Sequence, residues 1–498
     1  MKKNARKTKK AAAAFFSLAR PVVFLLDIAA ALMLIPLGYA AFLGDGVMVR
    51  AFAVPAACEL LAALPFHFFT RQKRVEFGPA DGFILVFAAW TLSIFLGAFP
   101  WFLSGEGIGF TDAFFESSCG FATTGATTVA DVEALPRPLL LWRSLIHWAG
   151  GMGIVLLTVA LLPLFGIGAF QMVKAETPGP EKEKVTPKIT AAAKILWLVY
   201  TALTALLILL YRLGGMDWFD AVCNALPVMA SGGVSTKNAG LAFFNSPFID
   251  IVSTVFMLAA GINFNVYFRL LRGKFREVLA NTECRVYLAV FAAASLIIAW
   301  SLIPGYGSIG AALRYASAQT ASVLSTTGSA AADYERWPPL AQAVLFALMF
   351  IGGCSGSTAG GIKIIRHVIL WKQAGNEIRR IMYPRGIFGV RINNKTGDKH
   401  VVYGVAGFIA AYGLVVLATS LATAASGCDI LSSVGTALAV TGNVGIGFGA
   451  SGPAAHYGAF PAALKWFYSF VMVAGRLEIW TALVILTPGF RRHRRGRR

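Results

Sequence analysis

TDAFFESSCGFATTGAT, residues 111–127, lies between two apolar runs that are each long enough to cross a membrane, and is itself too short and too broken to do so. It opens on an acidic residue, continues through about three turns of small and aromatic residues, and stops at Thr123-Thr124-Gly125-Ala126-Thr127. This layout predicts a re-entrant half-helix followed by an extended loop. Non-helical backbone at membrane depth survives only where protein buries it or water wets it. There its carbonyl oxygens can replace the hydration shell of a cation. The dipole of the half-helix adds negative potential at its C-terminal end.

Thr-Thr-Gly alone is a common turn, so the weight rests on recurrence. Asp112-Ala113 stands thirteen positions before Gly125, and Asp220-Ala221 stands thirteen before Gly233. Tyr315-Ala316 and Gly328 repeat the interval, as do Ser432-Ser433 and Gly445. The four loops read TTGAT, GGVST, TTGSA and NVGIG, each flanked by long apolar runs. Four copies of helix, half-helix, loop and helix are what one chain needs to close a ring of carbonyls alone. Four external loops with turn glycines would be the plainer reading, and the shared spacing argues against it.

Composition agrees. The chain has 498 residues, is 57% hydrophobic and 14% charged, and has a mean hydropathy of +0.67. Windows of ~20 or more apolar residues recur, so an all-α polytopic membrane protein is expected. The net charge of +20 suggests a nucleic-acid partner at first sight. Its placement excludes one: basic residues cluster at the N-terminus (KKNARKTKK), in alternate loops and in the final RRHRRGRR. That is positive-inside topology with both termini cytoplasmic. The run at 2–10 reads as a cytoplasmic tail or an anchor to anionic membrane lipid, without the pattern of a removed signal peptide. The six cysteines show no CxxC spacing and the six histidines are dispersed, which leaves no organic cofactor, metal cluster or enzymatic constellation to propose. His147 is expected to be a packed helix residue.

In chain order, residues 1–75 hold the tail and two extra transmembrane helices near 21–42 and 49–69, with Asp27 and Glu59 in packing or lipid-interface roles. Residues 76–170 form pore repeat 1, with helices near 81–103 and 139–165. Its outer segment, 104–136, has no Lys or Arg but holds Glu106, Asp112, Glu116, Asp131 and Glu133, which predicts an acidic vestibule that concentrates cations. Residues 171–275 comprise a cytoplasmic linker at 171–188 and pore repeat 2, with helices near 191–213 and 249–271. Residues 276–395 form pore repeat 3, and 396–498 form pore repeat 4 and the basic tail, with helices near 401–421 and 461–486.

The second helix of repeat 3 is the anomaly. Its apolar run at 340–351 is cut by GGCSGSTAGG, residues 352–361, and helical periodicity resumes at Ile362-Lys363-Ile364. Each Gly costs about 1 kcal/mol relative to Ala in a helix, so this segment cannot stay helical. Broken helices mark ion or substrate pathways. A phosphate loop would need Gly-Lys-Ser or Gly-Lys-Thr after a strand, and Gly361 is followed by Ile362 instead. A plain inter-helix turn would leave too few apolar residues before it to cross a bilayer. In the last helix, Arg476 and Glu478 interrupt an apolar run. An arginine at mid-membrane costs at least ~2.5–3.5 kcal/mol unless paired or wetted, so Arg476 is expected to face a central cavity near 352–361.

Taken together, TDAFFESSCGFATTGATT, RSLIHWAGGMGIVLLTVALLP, KAETPGP, GGCSGSTAGGIK and GRLEIWTALVIL resemble the Trk/Ktr/HKT superfamily of potassium transporters, most of all its bacterial TrkH type. The resemblance runs from about residue 20 to the last helix. It implies four pseudo-symmetric helix–pore loop–helix repeats around one central pore, a bacterial inner-membrane location and potassium uptake. The implied potassium filter residues are Thr123, Thr124 and Gly125; Gly232 and Gly233; Thr326, Thr327 and Gly328; Asn443, Val444 and Gly445. The implied gate is the glycine-rich break, with Gly352, Gly353, Gly356, Gly360, Gly361 and Lys363, facing a cavity arginine, Arg476. A homodimer and a cytoplasmic nucleotide-binding regulatory partner of TrkA type are implied as well. Val234 and Ser329 stand where a bulky residue is common, and Ile446 where a Pro is usual, which implies looser packing behind the filter. The residues alone also fit a secondary carrier coupled to protons or sodium, which would show two related halves rather than four quarters.

Overall fold

The computed structural model describes residues 2–69, 79–165, 188–386, 388–393, 395–396 and 399–487. The basic segments 71–74 and 491–498 and the linker 171–187 lie outside these residues.

The described chain is almost entirely helical. An N-terminal pair, α1 (Lys2–Leu43) and α2 (Gly46–Phe69), is joined by a tight turn in which Gly44 takes a φ of 72°. α3 (Pro79–Phe102), the short α4 (Phe110–Phe121) and α5 (Arg137–Phe165) follow. Next come α6 (Lys188–Leu213), the short α7 (Trp218–Ala230), α8 (Pro247–Gly261), α9 (Phe264–Leu271) and α10 (Phe275–Leu279). α11 (Thr282–Tyr306) leads to the short α12 (Ile309–Leu324), then α13 (Pro339–Leu348) and α14 (Ile364–Met382). A hairpin of β1 (Arg391–Ile392) and β2 (Lys395–Thr396) precedes α15 (Lys399–Ala424), the short α16 (Ile430–Thr441), α17 (Ala462–Arg476) and α18 (Trp480–Leu486).

Among the described residues, six helices are long and apolar enough to cross a membrane, and the bent pair α8–α9 makes a seventh. The short helices α4, α7, α12 and α16 have 12 to 16 residues, below the ~20 needed to span. Three of them start at a residue of N-cap type: Asp217 accepts from the Asp220 amide, Asp429 from the Ser432 amide, and Ser308 precedes α12. α4, α12 and α16 stop four residues before the key glycine and α7 three before it.

The N-terminal pair packs on α3, α4 and α5 through one apolar cluster that includes the fully buried Met33, Phe52, Trp101 and Trp142. The Trp142 indole donates to the Gly97 carbonyl at 3.1 Å, and the Ser117 hydroxyl donates to Ile94 at 2.7 Å, so α4 and α5 are both bonded to α3. A second cluster joins α11 through α16, and a third joins α6 to α9.

Two helices expected to be continuous are broken. The segment expected at 249–271 bends by 97° between α8 and α9. A Cβ at Gly261 would overlap the Tyr287 hydroxyl, so that helix end sits directly against α11. The Asn263 side chain then accepts from the Asn265 amide at 2.8 Å and starts α9 in a new direction. The last helix, expected over 461–486, is split at Glu478 and Ile479, whose φ values are 60° and 50°. The N-terminal run expected as a tail is helical, continuous with α1.

Gly97 tests the α3–α4 contact. A Cβ there would lie 2.7 Å from Ser117 Oγ and 2.8 Å from Phe121, whereas one at Gly38 would meet nothing within 4 Å. Gly97→Leu should destabilise by about 1–3 kcal/mol through overpacking. Gly38→Leu should be silent. Thermal melting of the purified protein in detergent reads the difference, and equal melting of the two variants would contradict the packing.

Candidate functional site

The four loops share one backbone conformation. Two residues before each key glycine the chain enters the left-handed region, at Thr123 (φ 52°), Ser231 (58°), Thr326 (54°) and Asn443 (55°). The glycines return there: Gly125 (84°), Gly233 (54°), Gly328 (72°) and Gly445 (84°). A left-handed L-residue costs roughly 1–2 kcal/mol, so the recurrence at one register position is a constraint imposed by the surroundings. Alternating left- and right-handed residues turn successive peptide planes the same way.

The loops meet in a closed cycle. A Cβ at Gly125 would lie 2.5 Å from the Gly232 carbonyl oxygen. One at Gly233 would overlap the Thr327 carbonyl, one at Gly328 the Val444 carbonyl, and one at Gly445 the Thr124 carbonyl. Each glycine therefore faces the carbonyl that precedes the glycine of the next loop, and the fourth returns to the first. The Thr327 oxygen, from the third loop, is also 3.5 Å from the Gly125 position. Any side chain at 125 would intrude among these oxygens.

Polar side chains of the half-helices hold each descending strand. Nine residues before the glycines stand Glu116, Asn224, Gln319 and Thr436, all buried. Glu116 Oε1 accepts from the Thr128 amide at 2.5 Å and the Thr127 hydroxyl at 2.8 Å. Asn224 donates to the Thr236 hydroxyl at 3.4 Å, Gln319 accepts from the Ala331 amide at 3.2 Å, and Thr436 donates to Ser451 at 2.9 Å. Six residues before the glycine, Cys119 Sγ donates to the Ala126 carbonyl and Ser322 Oγ to the Ser329 carbonyl. Tyr457 donates to the Gly445 carbonyl at 3.0 Å, and its amide donates to Thr127 at 2.7 Å, tying loop 4 to loop 1. Tyr334 donates to the Gly447 carbonyl. Phe115, Phe460 and Tyr468 complete this aromatic backing.

The glycine-rich break lies against the inner ends of these loops. The Gly352 amide donates to the Ile362 carbonyl at 2.8 Å, closing the segment into a loop. Gly353 and Gly356 pack on the α8–α9 break, where the Cys354 amide donates to Gly261 at 2.8 Å and the Phe264 amide to Gly356 at 3.1 Å. Gly360 packs on Gly442 and Asn443, and Gly361, at a φ of 66°, packs on Thr326. Glu283 of α11 accepts from the Ser355 and Ile365 amides at 2.7 and 3.3 Å. Lys363 is buried and donates to the Ala359 carbonyl. Arg476, also buried, ends α17 and donates to the Thr358 carbonyl and to Gly150 and Gly151 at 2.9 and 3.2 Å.

The comparisons with known proteins bear on this arrangement directly. Residues 50–488 match the family model TrkH, described as a cation transport protein. The Trk system potassium uptake protein TrkH of Escherichia coli K12 is 35% identical over 483 residues, covering 96% of this chain and 99% of that protein. The TrkH of Halomonas elongata is 35% identical over 465 residues, 92% of this chain and 95% of that one. The crystal structure of the potassium transporter TrkH from Vibrio parahaemolyticus superposes with a TM-score of 0.86 at 33% identity, covering 96% of this chain and 99% of that one. The chain belongs to the TrkH family. It is a membrane transport protein and not an enzyme.

Within this TrkH-family chain the structure brings every sequence-predicted site residue into one assembly, with Arg476 against the loop at 352–361 as expected. The outer acids differ from expectation. Glu116 is buried, with its Oε2 3.6 Å from Arg143 Nε, and Arg143 also donates to the Ser235 carbonyl of loop 2. Asp112 pairs with Lys465 at 2.6 Å, and Glu133 lies 3.8 Å from Lys237. Asp131 accepts from Asn238 at 2.8 Å, and that bond holds its carboxyl below the usual range. Four of the five acids expected to line the vestibule thus also brace the loops against one another, and the fifth, Glu106, is exposed. Val234 and Ser329 are buried, and the partly buried Ile446 packs against the α11–α16 cluster. His147 is buried with Nδ1 2.8 Å from the Arg143 carbonyl, as a packed residue should be.

Sequence reasoning missed Ser231, Glu283, Arg143 and Tyr457. Their signal was present only as offsets from the glycines and polar residues inside apolar helices. The Glu116–Arg143 pair is the readiest to test. Glu116→Ala leaves a buried cation and should destabilise by about 3–5 kcal/mol, while removing both charges should cost less. Melting curves of Glu116→Ala and of the Glu116→Ala/Arg143→Ala double variant measure this; a double variant worse than the single would contradict it.

Proposed function

We propose that this chain is the potassium-conducting membrane subunit of a Trk-type uptake system in a bacterial inner membrane. One observation carries the reading: the cycle in which Gly125, Gly233, Gly328 and Gly445 each face a carbonyl of the next loop. Thr123, Thr124, Gly232, Thr326, Thr327, Asn443 and Val444 supply the remaining backbone of that filter. Its oxygens replace the water around a dehydrated monovalent cation. The C-terminal ends of α4, α7, α12 and α16 add negative potential on the inner side. Glycine at all four positions favours potassium over sodium, because no side chain narrows the ring.

The loop at 352–361, with Lys363 and Arg476, is the gate beneath it. It occupies the exit of the filter, and two buried cations beside that exit raise the energy of a passing cation. Conduction requires the loop and Arg476 to move aside. The quarter-units 76–170, 171–275, 276–395 and 396–498 surround this axis, with 1–75 as an added pair outside it. Both termini face the cytoplasm. Two copies form the functional unit, and a cytoplasmic nucleotide-binding regulatory subunit of TrkA type docks on it. The cytoplasmic extension of α14, with Trp371, Ile378 and Ile381 exposed, offers surface for such contacts.

Potassium-limited growth of a transport-deficient bacterial strain expressing this chain tests the reading as a whole; no rescue would refute it. Gly125→Ser should lower the potassium-to-sodium uptake ratio by about tenfold or more, equal to ~1.4 kcal/mol of lost discrimination. An unchanged ratio would remove the filter assignment. Arg476→Ala should raise cation flux in proteoliposomes, and wild-type flux would remove the gate assignment.

A further inference from the structure

In loops 2, 3 and 4 the left-handed residue that begins the filter strand also faces the loop at 352–361. In loop 2, Ser231 Oγ lies 2.7 Å from Thr358 Oγ1. Both residues are buried, and the Thr358 hydroxyl is further within 3.2 Å of the Met229 carbonyl and 3.1 Å of the Ala260 carbonyl. One hydroxyl proton cannot serve two acceptors at once, so Thr358 donates to a carbonyl and accepts from Ser231. In loop 3, Thr326 Oγ1 accepts from the Gly360 amide at 2.6 Å. In loop 4, the Asn443 side chain packs on Gly360 while its amide nitrogen donates to Thr124 Oγ1 and to the Met472 carbonyl, each at 2.9 Å. In loop 1, the buried Thr123 hydroxyl has no hydrogen-bond partner among the described residues.

We propose that Ser231 and Thr326 are a latch: their side-chain oxygens hold the segment 358–360 against the filter base and so keep the gate closed. This rests on reading 352–361 as a gate. Position and chemistry both argue for it. The two residues are at equivalent register positions, and both hold left-handed backbone that a freely moving loop would not enforce. Their partners flank Ala359, the residue whose carbonyl takes Lys363, and Thr358 itself carries the carbonyl that takes Arg476. Displacing Arg476 therefore loosens the segment that Ser231 holds. Displacing the segment frees the hydroxyl of a filter-strand residue in turn. The latch engages the second and third loops, which are neighbours in the ring, so its release acts on one side of the filter.

The test uses cation flux through the purified full chain in proteoliposomes, with Arg476→Ala as the reference for an open gate. A neutral hydrogen bond contributes modestly, so Ser231→Ala and Thr358→Val should each raise flux about fivefold. The double variant should rise no further than the larger single, because both remove one bond. Thr326→Val removes a different bond, and its effect should multiply with that of Ser231→Ala. Ser231→Thr and Thr358→Ser keep the hydroxyls and should restore wild-type flux; threonine already occupies the equivalent positions 123 and 326. The potassium-to-sodium ratio of Ser231→Ala should hold, which structural damage to the filter would not allow. If Ser231→Ala cannot be purified folded, Thr358→Val reads the same bond from its other end. Wild-type or reduced flux in the latch variants, with raised flux in Arg476→Ala, would overturn the latch and leave the gate reading standing. Wild-type flux in all of them would overturn both.

Discussion

A backbone carbonyl inside a membrane needs a partner, and the four loops leave a ring of carbonyls facing glycines instead of donors. Away from water each unsatisfied polar group costs several kcal/mol, which is why spanning segments are helices and why extended backbone is tolerated only when enclosed. Here the carbonyls of Thr124, Gly232, Thr327 and Val444 face glycines of neighbouring loops rather than donors. In the proposed function, a cation on the axis is the partner that completes them. Everything else in the fold follows from keeping those strands extended: short helices to deliver them, polar side chains nine residues back to hold them, and tyrosines to fill the space behind. Rigidity comes from the buried backing. The open side is left to the ion.

The backbone repeats four times, and the side chains do not. Loop 1 is braced by a charged pair, Glu116 with Arg143, where the other loops use an amide or a hydroxyl at the same position. The third unit supplies the inner loop, and the second unit receives it at a break. Ending α8 at Gly261 leaves helix carbonyls without their usual donors. The Cys354 and Thr358 amides then bond to Gly261 and Ala260 at 2.8 and 3.3 Å. The end of α17 places Arg476 where its guanidinium meets the carbonyls of a helix, α5, and of the loop. Two irregularities thus satisfy each other. Neither would be stable at membrane depth with the other removed.

Much of this was legible in the chain. Apolar runs locate the spans, and the interval of thirteen residues to each glycine locates the half-helices, because helix length and loop register are local properties. Arg476 and the glycine run at 352–361 stand out because each contradicts its surroundings energetically. What was not legible depends on pairing across long separations. Glu116 reads as an outer acid until Arg143 is seen beside it, and Ser231 reads as a turn residue until Thr358 is seen against it. The 97° bend after Gly261 has no proline to announce it; it follows from the contact with Tyr287 and the cap at Asn263. The break at Glu478 and Ile479 is likewise invisible, since neither residue favours positive φ.

The material of the inner loop suits the task proposed for it. A gate made of interlocked apolar side chains would be held by dispersion and burial spread over many atoms, and opening it would expose that surface. The segment at 352–361 is instead held by a small number of hydrogen bonds, to Glu283, Gly261, Ser231, Thr326 and Arg476. Each contributes about 1 kcal/mol net when water can replace the lost partner. A coupling of ~1–3 kcal/mol from a ligand at another site is enough to offset one or two of these bonds, so release can proceed stepwise. Glycine, with no side chain to drag through the cavity, keeps the moving part small. The same lack of side chains leaves the loop's position to be defined by hydroxyls and charges on the surrounding elements.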